Sequence, residues 1–380
     1  MKRLGKTLVF LFFGFACSGQ VAKFSNDFLS IGVGARAQAM GNVQVSIVDD
    51  VTAGFWNPAG LSRIEGTFQI GVKHAEWFAG IGQYDYLAVA KPIRFSELNR
   101  TIGVSFIRFA IDDIPNTLDL IEADGSINFD NISGFTAGDY AGIVSYAQDT
   151  HIEGLSIGGS VKVIHRRAGK FAQSWGFGVD LGLTYQTGNW FFGLSGKDIT
   201  STFNAWSFNF SEADQATLAI TGNEVPDNSI EITTPRVILG AGYRARLAKQ
   251  ISVLVATDLS FTTDGQRNVL INSSFLNIDP AFGMEIAYKD FVFVRGGINN
   301  FQKAISGPNV GNQTITAQPN LGAGVKFNRI RLDYALTDVG DVSQVLYSHI
   351  FSIILDLKLS RRKQASRGPG IPERIIEQID

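Results

Sequence analysis

The chain is poor in the residues that usually carry chemistry. It has one cysteine, three methionines and four histidines in 380 residues. A lone Cys17 allows no internal disulfide and no cysteine-built metal site. His74, His151, His165 and His349 are nowhere spaced as metal ligands, so no metal or other cofactor is expected. Charge is scarce too. Lys, Arg, Asp and Glu make up 18% and sum to −2, which leaves no basic excess for a nucleic-acid face. Beyond the N-terminus, no apolar run approaches the ~20 residues of a membrane helix. Gly154-Leu155-Ser156-Ile157-Gly158 spells a nucleophile elbow. That motif needs a strand, a sharp turn and a helix, and Ser156 lies in an alternating segment with no helical pattern after it. Gly32-Val33-Gly34 lacks the third glycine and the βαβ setting of a dinucleotide site. No catalytic set remains, and the chain reads as a non-enzyme.

Glycine and phenylalanine are plentiful, at 41 and 29 residues. The first 19 residues have the form of a secretory signal: Lys2, Arg3 and Lys6, then the apolar run Leu8 to Phe15, then the small residues Ala16-Cys17-Ser18-Gly19. Cleavage after Gly19 removes the cysteine. The alternative is a lipoprotein signal with Cys17 acylated. Residues 20–61 form a separate segment, 62–360 a repetitive one, and 361–380 a tail with Arg361-Arg362-Lys363 and Gly368-Pro369-Gly370. The tail reads as periplasmic, either contacting a partner there or simply solvated.

The long middle region alternates with period two. Trp175, Phe177, Val179, Leu181, Leu183 and Tyr185 interleave with Gly176, Gly178, Asp180, Gly182, Thr184 and Gln186. The same rhythm recurs over Val237–Arg246, Ile330–Thr337 and Phe351–Leu359. Successive side chains of a strand face opposite ways, so one face is apolar and the other is glycine, hydroxyl or charge. Strands are read at about 67–78, 81–94, 100–111, 139–150, 153–166, 174–187, 188–198, 235–247, 249–262, 280–289, 290–299, 318–328, 328–338 and 348–359. Their length suits outer-membrane strands better than soluble ones. Tight turns alternate with longer connections over 112–138, 199–234, 263–279, 300–317 and 339–347. The expected fold is all-β: a transmembrane antiparallel barrel of about fourteen strands in the outer membrane, with both mature ends in the periplasm.

The segment from Phe28 to Leu61 does not read as a strand. Glycines interrupt it, and Trp56-Asn57-Pro58-Ala59-Gly60 ends it with turn chemistry. It is expected to fold as a plug inside the lumen. Gly176, Gly178, Gly182, Gly240, Gly242, Gly322 and Gly324 all fall on the lumen face of their strands. They either admit the plug's backbone or ease curvature. Enclosed charges at Arg36, Asp49 and Asp50 should pair with each other or with Asp180, Arg244, Arg331 and Asp333, either holding the plug or gating it. Loop 199–234 carries Phe203, Trp206, Phe208 and Phe210, a candidate partner contact unless it folds back over the barrel mouth. Loop 112–138 is acidic, and reads as a docking surface or as a solvated loop.

The order Gly34-Ala35-Arg36-Ala37, Met40-Gly41, Asp49-Asp50 and Trp56-Asn57-Pro58-Ala59-Gly60-Leu61 resembles the PorV/PorQ family of Bacteroidetes outer-membrane proteins, related to the FadL transporters of hydrophobic compounds. The resemblance implies a plugged outer-membrane barrel associated with type IX protein secretion, binding translocon components or the C-terminal domains of secreted cargo. Its kinship with FadL implies, alternatively, transport of a hydrophobic ligand. Gly32-Val33-Gly34-Ala35-Arg36 departs from the Pro-Asp-Ala-Arg form of the best-known secretion member, so the chain resembles a paralogue of it.

Overall fold

The computed structural model describes residues 25–66, 68–77, 80–93, 98–120, 122, 125–305, 313–339 and 348–357. The expected signal peptide and C-terminal tail lie outside the described residues. Sixteen strands follow in order: β1 (Phe68–Trp77), β2 (Gly82–Ile93), β3 (Arg100–Asn116), β4 (Ser133–Asp149), β5 (Leu155–Ala168), β6 (Ala172–Thr187), β7 (Trp190–Lys197), β8 (Phe203–Phe208), β9 (Ser229–Ile232), β10 (Arg236–Ala248), β11 (Ile251–Thr262), β12 (Asn277–Tyr288), β13 (Val292–Ile305), β14 (Gln313–Phe327), β15 (Ile330–Thr337) and β16 (Ser348–Leu357).

Fourteen of these form a ring. Neighbours pair antiparallel in chain order, β7 pairs with β10 across the β8–β9 hairpin, and β16 returns to β1. Closure leaves no edge strand within the ring, which is the condition for a sheet to sit in lipid. The ring is apolar outside and polar inside. On β3, Ile102, Val104 and Phe106 are exposed, whereas Thr101, Gly103 and Ser105 are buried. A soluble sandwich would show the reverse. Aromatic groups gather near both ends of the wall: Tyr140, His165 and Trp175 stack at one, Trp190 and Tyr243 at the other, as interfacial girdles do. The chain is therefore a fourteen-stranded antiparallel transmembrane barrel.

Three long connections differ from their sequence reading. Over 300–317, β13 runs on to Ile305 and β14 already begins at Gln313. Much of 112–138 is strand, because β3 runs on to Asn116 and β4 begins at Ser133. The ladder shifts register between Ile111 and Ile114, with Asp113 at φ 56. Past the lipid a ladder needs no apolar alternation, so the acidic residues hid it. The stretch 199–234 is not a loop either. It holds β8, a helix α1 (Glu212–Ile220) and β9. The wall strand β6 extends beyond its last pairing with β7, and β8 takes up that free edge: Leu181 pairs with Gly196, but Phe177 with Phe203. Ser211 and Asp214 close a capping box that starts α1.

Candidate functional site: a filled lumen

Residues 25–64 run through the inside of the ring as short turns. Two of these are helical, α2 (Ala35–Ala39) and α3 (Ala53–Trp56), and a 3₁₀ turn spans Pro58–Arg63. The segment thus continues past Leu61, and β1 begins only at Phe68. Such irregular backbone carries many unpaired N–H and C=O groups, and at membrane depth these must find partners in the protein. The wall supplies them. Asp258 accepts from the amides of Gln44 at 2.8 Å and Val45 at 3.0 Å. Ser145 and Ser160 both donate to the Gly54 carbonyl. Ser195 donates to Trp56 O, Lys73 to Gly32 O, and Lys197 to Phe55 O. Serine, aspartate and lysine on the lumen face act here as backbone partners.

The wall also makes room for this backbone. A Cβ on Gly297 would lie 2.1 Å from the Met40 carbonyl carbon, and one on Gly283 would lie 2.6 Å from Met40 O. Gly158 and Gly193 stand equally close to Pro58–Ala59 and to Val45. Of the seven lumen glycines noted in the sequence, Gly182, Gly240, Gly242 and Gly322 meet the segment, at Asn57, Ser46, Ile47 and Ala39. Gly176 and Gly178 are crowded instead by Asn204 and Thr202 at the start of the β8–β9 hairpin, and Gly324 by Asp333 and Arg295 of the wall. The alternation placed all seven on the right face but could not tell these two groups apart.

Three charged residues of the segment, Arg36, Asp49 and Asp50, sit at one junction. Gly34, at φ 82, precedes α2 and turns the chain so that Arg36 points at β12. Its guanidinium donates to Glu285 at 3.0 and 3.3 Å and to Asp49 at 2.8 Å. Glu285 also accepts from Arg295 at 2.6 Å, and Arg295 reaches Asp333 at 2.7 Å. Arg331 bridges Asp333 and Asp50. The result is one continuous chain of pairs from the segment through β12, β13 and β15. Burial pushes the Asp50 carboxyl up, but Arg331, Arg36 and the Thr52 hydrogen bonds outweigh it and hold the group below the usual carboxylate range. Arg331 and Asp333 were foreseen as partners. Glu285 and Arg295 were not. Glu285 shares the small-residue face of Ala281, Gly283 and Ala287 opposite Phe282, Met284, Ile286 and Tyr288, a signal that places it in the lumen, whereas Arg295 has Val, Phe and Gly on both faces around it. Asp180 belongs to a second buried cluster with Lys162, Lys197 and Asp198, and Arg244 lies over the Phe191 ring.

The remaining motif residues are structural in their contacts. Met40 is fully buried, and Gly41, at φ 66, presses against the backbone of Ile298. Trp56 donates its indole N–H to Val33 O at 2.9 Å, and its ring covers Gly32. The Asn57 amide donates to Val45 O at 2.8 Å and to Leu183 O at 3.1 Å, which ties the segment to itself and to β6. Pro58 opens the 3₁₀ turn, where its missing N–H costs nothing. Beside Arg36, Asp50, Lys73, Tyr86 and Arg331, the space between segment and wall is about 10 Å³, room for about one water.

The aromatic candidates in 199–234 are dispersed. Phe203 faces outward and is 47% exposed. Trp206 donates to Glu231, stacks on Phe208 and lies under the Arg166 guanidinium. Phe210 stacks on Phe171, on the β5–β6 turn. Three of the four are thus already engaged within the molecule. Ser156, at the start of β5, donates to Asp149 at 2.8 Å.

No family model matches this chain, and no curated protein sequence does. Solved structures match it well. TodX, a toluene transporter of Pseudomonas putida, superposes with a TM-score of 0.54 at 14% identity, over 86% of this chain and 98% of its own. The monoaromatic hydrocarbon channel CymD gives 0.51 at 14% identity, over 86% and 98%. A match over 86% exceeds the whole stretch from Phe68 to the C-terminus, so it takes in part of the N-terminal segment as well. The similarity is one of fold: a closed antiparallel transmembrane barrel together with chain that precedes its first strand.

Proposed function

We propose that this chain is an outer-membrane barrel that passes a hydrophobic small molecule, with its N-terminal segment as the plug that closes the lumen. The observation that carries the reading is the lumen itself. It is occupied by chain that precedes β1, which packs Val33, Phe55, Trp56 and Leu61 into one apolar cluster with Tyr84, Ile107 and Ile164 of the wall and is also held by hydrogen bonds and ion pairs. The polar contacts can be exchanged for water, and in this reading the filled lumen is the closed state of the barrel. The fold shared with a toluene transporter and a monoaromatic hydrocarbon channel supports the class of molecule. The short turns and both ends of the barrel chain face the periplasm, and the protein does no chemistry on what it passes. The test is uptake of radiolabelled toluene by cells that display the folded protein in their outer membrane. Uptake above the empty-vector level is expected. Uptake equal to it, with the barrel present and folded, overturns the reading.

A second reading is a component of type IX secretion that binds translocon or cargo. It is favoured by the resemblance of Gly34–Leu61 to the PorV/PorQ pattern and by the outward Phe203 and Ile230 on the β8–β9 hairpin. Affinity capture from gently solubilised outer membrane separates the two. Co-purifying secretion proteins support this reading, and a barrel recovered alone with a bound hydrophobic compound rejects it.

A further inference from the structure

At the end of the barrel where β16 finishes, the turns β10–β11, β12–β13 and β14–β15 lie side by side: Lys289 N donates to Gln250 O, Lys326 N to Phe291 O, and Asp356 N to Arg329 O. This arc is basic. Arg246, Lys249, Lys289, Lys326 and Arg329 are all exposed on it, against two carboxylates, Asp290 and Asp356. The turns on the opposite arc differ: Thr187-Gly188-Asn189 is uncharged, and Asp149 to Glu153 is acidic. Between the first two turns is an open cleft of about 40 Å³ lined by Arg246, Lys249, Gln250, Ile251, Ser252, Lys289 and Asp290. That is room for about three waters, or for the oxygens of one phosphate group. Three cations face one carboxylate there. Among the described residues none of the three is within ion-pair distance of an acid.

The lipid side of the same arc is apolar to its edge. Leu247 and Phe327 are about 70% exposed, with Tyr288 and Phe291 between them, and the Lys289 ammonium stands 5.2 Å over the Tyr288 ring. Aromatic rings mark the boundary between hydrocarbon and headgroups. Cations just outside that boundary draw anionic headgroups, by about fivefold per Lys or Arg. We propose that the β10–β15 arc is a binding site for anionic phospholipid. The headgroup phosphate sits in the cleft of Arg246, Lys249 and Lys289, and the acyl chains lie along Leu247, Tyr288 and Phe291. The lipid would tether this arc to the leaflet beneath it, on the side of the barrel where the Arg36–Glu285–Arg295 pairs hold the plug.

The test is native mass spectrometry of the delipidated full-length protein with phosphatidylglycerol or phosphatidylcholine of identical chains. The wild type should retain phosphatidylglycerol in preference. Arg246→Gln/Lys249→Gln/Lys289→Gln should lose about a hundredfold of that preference, while Glu153→Gln on the opposite arc keeps it. If the triple variant does not fold, Lys249→Glu alone serves, with a loss above tenfold expected. Equal retention of the two lipids by the wild type, or an unchanged preference in the folded variant, overturns the proposal. Displacement of phosphatidylglycerol by millimolar inorganic phosphate also overturns it, because the site then takes a free anion and not a lipid.

Discussion

Replacing Glu285 by Gln tests whether the charged junction seats the plug. Glu285 accepts from Arg36 and from Arg295, and all three side chains are buried. The substitution keeps the shape and removes the one negative charge shared by two guanidiniums. Arg36 is left with Asp49, which is partly solvated, and Arg295 with Asp333. Removing one partner of a buried pair costs about 3–5 kcal/mol, most of it the penalty of the stranded charge. Part of that cost is relieved when the plug leaves and Arg36 meets water. The plug-out population should therefore rise by about 10²- to 10³-fold. Single-channel recording in planar bilayers reads this directly as more frequent openings, with heat-modifiable migration on gels showing that the barrel is folded. Arg36→Met/Glu285→Met is the control. Replacing both partners by apolar side chains of similar volume is often nearly neutral, so the double variant should open far less than Glu285→Gln alone. A folded Glu285→Gln protein with the opening frequency of the wild type would refute a seating role for this junction.

Gly297→Val puts side-chain atoms where Met40 and Gly41 now lie. The wall strand is extended there and accepts Val, so the barrel should still form while the plug loses protection from added protease; full protection would place the segment elsewhere. Asp50 is held below its ordinary range, so its contribution to seating is complete above about pH 5 and falls as pH drops through the folded value. The rise in openings that Asp50 contributes should begin only below about pH 4 and be absent from Asp50→Asn, whose openings are already raised at pH 7; the same acid response in that variant would exclude Asp50 as the source. Replacing Phe203, Trp206, Phe208 and Phe210 by Ser removes the ring contacts with Phe171 and Arg166. It should loosen the β8–β9 hairpin, seen as faster hydrogen exchange there. If the secretion reading holds, it should also abolish partner capture; a partner still captured at the wild-type level places that contact elsewhere.

Strand existence was legible because each wall strand meets lipid on one side and the lumen on the other. The sequence must then alternate apolar with small or polar residues, and that period, with strand lengths and turn spacing, marks out fourteen strands, while the β16–β1 pairing shows that they close. The non-strand character of Gly32 to Gly60 was equally visible, since glycines and Asn57-Pro58 break any period. What alternation could not reveal was anything outside the bilayer. There the ladder of β3 and β4 runs on through Asp112 and Asp113, and β8 pairs with β6, without an apolar face to announce them. It also could not reveal which lumen residue meets which part of the enclosed segment. Glu285 and Asp258 are the clearest cases. Their partners Arg36 and Gln44 are more than two hundred residues away, and only closure of the ring brings them together. The period is a local consequence of two solvents on two faces, whereas the pairing is a consequence of register and barrel curvature, which no short window of sequence contains.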